Sequence, residues 1–183
     1  TRLEAIDAMS DALDGFTVDG IEHNVPFLAS LMRHPRWREG RLSTGFIAEE
    51  YPDGFTPAMP TAEEAGVLAR VALSAHVVEA TRRASHIDRL RPSQGLRNDW
   101  VVKIGDDYHA LASGDAVETD WRPGEAVWRG TIGGRRVTAQ VRPFLNGMRI
   151  DWQGLSVRTR VFTPRHAELD ALMPVKLRPD TSK

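Results

Sequence analysis

Residues 61–86 constrain this chain more than any other segment. Thr61 and Glu64 stand in T-x-x-E spacing, in which the threonine oxygen caps a helix and the glutamate reaches back to the cap. Behind them Val67, Leu68, Val71, Ala72, Leu73, Ala75, Val77 and Val78 cover more than one helical face, interrupted by Arg70 and His76. A helix that is apolar nearly all round has to be buried on several sides. Its small residues, Ala65, Gly66, Ala69, Ala72 and Ala75, let other backbone come close.

The segments that follow supply the cover. Residues 100–104 turn at Gly105-Asp106-Asp107 into 108–112, and residues 116–121 turn at Pro123-Gly124 into 126–132. Gly133-Gly134 leads to 136–142, Asn146-Gly147 to 148–152, and Gln153-Gly154 to 155–162. The last three junctions are short hairpin signals. Val137, Ala139 and Val141 alternate with polar residues, as do Leu155, Val157 and Val161, so these strands bury one face. Thr163-Pro164 starts a final helix that ends near Leu172. The predicted fold is α+β: an antiparallel β-barrel of about seven or eight strands wrapped around one long central helix, closed because closure removes exposed edges.

Residues 1–55 read differently. Thr1 and Glu4 form another capping box, Leu3, Ile6, Met9 and Leu13 fall at helical spacing, and Gly15 ends that helix. Residues 16–21 read as a short strand. Asn24 is placed to cap a second helix carrying Phe27, Leu28, Leu31 and Met32, with Pro26 tolerated in its first turn. So short a piece has too few residues to bury these faces alone, so it reads as a small α/β remnant of another domain. The predicted organisation is therefore 1–55 remnant, 56–60 linker with Pro57 and Pro60, 61–172 helix-in-barrel domain, and 173–183 linker. The chain opens on Thr1 with neither a basic nor an apolar leader pattern, as expected of a fragment.

Composition excludes several chemistries. There are no cysteines, hence no disulfides, thiolate metal sites or cysteine nucleophiles. A net charge of −1 provides no global field for nucleic acid, and no apolar run approaches the roughly 18 residues of a membrane span. The histidines at 23, 34, 76, 86, 109 and 166 lack metal-ligand spacing. Ser43, Ser74 and Ser113 lack a nucleophile elbow. Gly133-Gly134 joins two strands and reads as a turn rather than a phosphate cradle. No catalytic, cofactor-binding or metal-binding residue is assigned. His76 reads as a core histidine hydrogen-bonded to strand backbone.

Two features remain. Acids dominate residues 99–125, whereas residues 135–165 hold seven arginines and one aspartate. The pattern suits two sheet faces that attract one another, or a docking surface for an acidic partner or phosphate. After the long helix, Ile87, Leu90 and Leu96 lie among Arg89, Arg91 and Arg97, stiffened by Pro92. Aliphatics rimmed by arginine suit an interface anchor or a connector that caps the barrel mouth.

Three stretches carry a family resemblance: Gly20-Ile21-Glu22-His23-Asn24-Val25-Pro26-Phe27-Leu28, the run from Thr44-Gly45-Phe46 to Tyr51-Pro52-Asp53-Gly54-Phe55, and Leu172-Met173-Pro174-Val175-Lys176 with the terminal Asp180-Thr181-Ser182-Lys183. The first two resemble the end of the biotin carboxylase region, and the last the approach to the biotin carrier domain, in α subunits of propionyl-CoA carboxylases. The resemblance implies an ATP-dependent, biotin-mediated ligase that carboxylates propionyl-CoA to methylmalonyl-CoA, with biotin, ATP and Mg in the intact hetero-oligomer. It implies a non-catalytic linking (BT) segment that docks onto the carboxyltransferase β subunit through Ile87, Arg89, Leu90, Arg91, Leu96 and Arg97. It also implies contacts with the subunit's own biotin carboxylase and biotin carrier domains, and a location in the bacterial cytoplasm or the mitochondrial matrix. Lys103, Lys176 and Lys183 lack the flanking methionines of a biotinylated lysine, so the fragment alone is expected to be inactive. The rival reading is an independent helix-filled barrel that binds a small apolar ligand, which requires an empty interior.

Overall fold

A computed structural model describes residues 1–87, 98–115 and 117–174. Helix α5, Ala62–Ile87, realises the predicted long helix. Its capping box forms: Thr61 Oγ1 accepts from Glu64 N at 3.3 Å, and Glu64 Oε2 accepts from Thr61 N at 2.8 Å. Leu68, Ala69, Val71, Ala72, Leu73 and Ala75 have no solvent exposure at all. No described helix is long and apolar enough to cross a membrane.

Among the described residues six antiparallel strands cover this helix: β1 (Asp99–Ile104), β2 (Asp107–Ala112), β3 (Val127–Ile132), β4 (Arg135–Phe144), β5 (Gly147–Trp152) and β6 (Leu155–Phe162). They are ordered β2-β1-β6-β5-β4-β3, and α5 packs against β1, β2, β3, β5 and β6. The sheet thus curls around the helix as a half-barrel, with β2 and β3 as edges, rather than as a closed barrel of seven or eight strands. Its interior is filled by α5 and by Trp100, Trp121, Trp128 and Trp152, leaving the rival ligand-binding reading no empty core.

The predicted strand at 116–121 is where the count falls short. Among the described residues of this segment one bridge, Thr119 to Gly130, pairs it with β3. Side chains take over the ladder's bonds: Thr119 Oγ1 donates to Arg129 O at 2.6 Å and accepts from Trp121 N at 3.1 Å. Trp121 turns into the core, with Nε1 donating to Glu125 O at 2.8 Å. Trp128 lies over Gly130, where a Cβ would stand 2.4 Å from the indole. His76 meets the sheet edge-on at Trp100, 4.8 Å between centroids. That contact replaces the expected backbone hydrogen bond, and burial, then the charge of Arg83, lowers the pKa of His76.

The first segment forms α1 (Arg2–Gly15), α2 (Val25–Arg33) and two short helices that the sequence reading missed, α3 (Pro35–Glu39) and α4 (Phe46–Glu50). Ile6, Leu31, Met32 and Phe46 make a small core of their own. The Thr1–Glu4 capping box forms, but Asn24 at the start of α2 makes no side-chain cap bond. The expected strand at 16–21 is absent, because residues 16–19 are held by side chains of β4 rather than by a backbone ladder. A last helix, α6 (Pro164–Ala171), is capped by Thr163 and packs on β1 and β6.

Burial this complete sets measurable costs. Leu68→Ala should destabilise the fold by about 2–5 kcal/mol in denaturant melts. Gly130→Ala should also destabilise it, because the Trp128 ring has no room to give. Near-native melting of either variant would contradict this packing.

Candidate functional site

The helical segment and the sheet meet at a seam centred on the β5–β6 turn. Gln153 has φ +50° and Gly154 has φ +78°, the left-handed pair that a two-residue hairpin requires. Such a turn leaves backbone groups without ladder partners, and burying them demands others. The helical segment provides them. Gln153 N–H donates to Asp14 Oδ1 at 2.6 Å, and Gln153 C=O accepts from Arg33 Nη1 at 3.1 Å. The other terminal nitrogen of Arg33 pairs with Glu64 in the first turn of α5. One arginine thereby ties α2, the hairpin and the central helix together.

Gly154 closes the gap. A Cβ there would stand 2.7 Å from Ser30 N and 2.9 Å from Pro26 O, so α2 lies directly on the turn. Further along, Gln140 Nε2 donates to Phe16 O at 3.1 Å. Arg142 donates to Val18 O at 3.2 Å and pairs with Asp19. These bonds cover the outer face of β4, where Gln140 is buried although it points away from the core.

The electrostatics follow from burial. Loss of solvent pushes the Asp14 carboxyl up to about 7, against the opposing hydrogen bond from Gln153. Burial also lowers the Arg33 guanidinium, while Asp14 pulls it back. Beside this clamp lies a cleft of about 630 Å³ whose lining includes Leu13, Val18, Phe27, Arg149, Trp152 and Leu155. With Asp14 only 4% exposed and its Oδ1 committed to backbone, the arrangement is suited to holding two units in register rather than to proton transfer. Among the described residues, no three histidine, aspartate or glutamate side chains gather as a metal-binding group.

Of the residues singled out in the sequence, Ile87 ends α5, and Arg89, Leu90, Arg91, Leu96 and Arg97 lie outside the described residues. Lys103 serves the structure: its ammonium binds Asp170 at 2.6 Å, fixing α6 to the sheet. Three arginines of the basic segment find their acids outside residues 99–125. Arg142 turns to Asp19, Arg149 to Asp151 and Arg165 to Glu168. Asp14 and Arg33 gave no signal as site residues, because their partner Gln153 is 139 and 120 positions away.

Gly154→Val should open the seam and lower stability, since it adds both a backbone clash and a strained φ. Asp14→Asn keeps the acceptor oxygen and removes the titration. In the native chain the folded carboxyl binds its proton more tightly than the unfolded one, whose ordinary value is 3.8. The stability linked to that proton is complete below 3.8 and is lost as pH rises through about 7. Denaturant melts across this range should show native stability falling relative to Asp14→Asn, and parallel curves would refute the shift.

Comparison with known proteins accords with this two-part architecture. Residues 1–49 match the family model of the biotin carboxylase C-terminal domain, and residues 113–176 match the propionyl-coenzyme A carboxylase BT domain. The chain is 38% identical over its whole length to a propionyl-CoA carboxylase alpha chain of Ruegeria pomeroyi. It is 29% identical over 99% of its length to the mitochondrial propionyl-CoA carboxylase alpha chain of Rattus norvegicus. A mitochondrial methylcrotonoyl-CoA carboxylase subunit alpha of Dictyostelium discoideum matches 52% of the chain at 30% identity, covering 13% of that protein. The chain spans 29% and 27% of the length of the first two. By these matches it belongs with the propionyl-CoA carboxylase α chains, in the region where the biotin carboxylase C-terminal domain is followed by the BT domain.

Proposed function

We propose that this region is a non-catalytic connector that docks the α subunit of a propionyl-CoA carboxylase onto its carboxyltransferase β subunit. In this reading residues 1–55 end the biotin carboxylase domain, 56–60 link, 61–172 form the docking BT domain, and 173–183 lead to the biotin carrier. The ligase chemistry, with biotin, ATP and Mg, belongs to other parts of the enzyme. One observation carries the proposal: both family matches fall in one chain, and the two matched parts are clamped together through the backbone of Gln153. A clamp of this kind suits a spacer, because tethered delivery between two active sites works only when geometry lets the carrier reach both.

The docking residues are proposed to be Ile87, Arg89, Leu90, Arg91, Leu96 and Arg97. Aliphatics with a rim of arginines suit a partner contact, since the planar guanidinium binds carbonyls and carboxylates. Leu90→Asp would place a charge in that contact, and Arg91→Ala would remove an anchor. In the intact enzyme both variants should keep native circular dichroism yet fail to co-elute with the β subunit. Assembly with unchanged affinity would remove the docking assignment.

The connector role makes a second expectation. The 183-residue chain by itself should neither hydrolyse ATP nor gain biotin when co-expressed with a biotin ligase. A mass increase of one biotin on Lys103, Lys176 or Lys183 would overturn it.

A further inference from the structure

The outer face of the sheet sets its cations in facing pairs. Strand register places Arg142 opposite Arg149, Arg149 opposite Arg158, and Lys103 opposite Arg160. Like charges directly opposite one another destabilise an antiparallel pair, so each needs an answer nearby. Arg142 has Asp19, Arg149 has Asp151 at 3.1 Å, and Lys103 has Asp170 at 2.6 Å. Among the described residues Arg158 and Arg160 make no hydrogen bond or close ion pair, and Arg160 meets Asp170 only through its charge, while that carboxylate is bonded to Lys103 and Tyr108.

These two arginines share a built recess. The Arg158 guanidinium lies 5.7 Å from the centroid of Phe144. The absence of a side chain at Gly147 makes room for that ring: a Cβ there would stand 2.6 Å from Phe144 Cζ and 3.1 Å from Arg160 Cγ. Phe144, Arg158 and Arg160, with Met59, Lys103 and Ile104, line a cleft of about 360 Å³.

We propose that this cleft binds a small phosphate-bearing anion, with Arg158 and Arg160 as its guanidinium donors and Phe144 as its wall. Alternate residues of a strand project from one face about 6.6–6.8 Å apart, a span that a diphosphate bridges. Each guanidinium can then grip phosphate oxygens in its two-pronged geometry. The volume is that of a small-ligand pocket. A broad acidic protein surface fits less well, because the cleft is a recess of about 360 Å³, which admits a small group. The site is independent of the docking proposal, so loss of either leaves the other standing.

Calorimetric titration of the 183-residue chain with inorganic pyrophosphate at low ionic strength tests this, with backbone NMR to locate the site. Saturable binding is expected, with shifts at β6 and Gly147. Arg158→Gln combined with Arg160→Gln should weaken it by about tenfold or more. Arg82→Gln combined with Arg83→Gln removes the same charge from the exposed end of α5 and should leave binding unchanged, while circular dichroism verifies that both pairs of variants fold. Absence of saturation at millimolar pyrophosphate, equal losses in the two pairs, or saturation by polyglutamate alone would each overturn the proposal.

Discussion

Everything in this fold depends on hiding the surface of α5. A helix with Leu68, Val71 and Leu73 pointing in different directions cannot lie on a flat sheet, which would cover one side only. Short hairpins between β3, β4, β5 and β6 let the sheet twist and curl until it reaches around the helix. The two surfaces also divide the volume between them. The helix presents Ala69, Ala72 and Ala75, while Trp100, Trp121, Trp128 and Trp152 project from the strands and the 117–125 segment. Small on the helix and large on the sheet is how close packing is reached at a short distance.

The seam with the helical segment is a second and different kind of constraint. Here the contact is made to backbone, with the two polar groups of Gln153 held by one carboxyl and one guanidinium. Orientation therefore depends on the turn's shape and hardly on the side chain at position 153. That arrangement also accounts for burying Asp14 at an electrostatic cost. A neutral side chain too short to reach the turn would leave a backbone N–H unpaired, at a cost of about 1–3 kcal/mol.

Periodicity and punctuation made most of the architecture legible. The capping boxes at Thr1 and Thr61, the turns at Gly105, Asn146-Gly147 and Gln153-Gly154, and the alternation along β4 and β6 all act between near neighbours. What was not legible depends on distant partners. Residues 116–121 and 16–21 have strand-like composition, yet Thr119, Gln140 and Arg142 offer side-chain bonds that displace the ladder. Helices α3 and α4 are five residues each, too short to show a period. Barrel closure was inferred from the need to remove edges, but β2 and β3 remain edges while the core is still covered by α5.

Strand β6 emerges as the member that connects these constraints. At its start, the turn at Gln153-Gly154 is clamped to α1 and α2. Beyond its end, α6 is pinned to the sheet by Asp170, which accepts from Lys103 at 2.6 Å and from the Tyr108 hydroxyl at 2.7 Å. The Lys103 bond, then that from Tyr108, holds the Asp170 carboxyl below its usual range, which favours the charged form the pin requires. Between the two fixed points run the eight residues Leu155–Phe162, about 26 Å of extended strand. Neighbours on both sides, β1 and β5, pair with that strand. One end of β6 is thus tied to the helical segment, and the helix that follows its other end is tied back to the sheet.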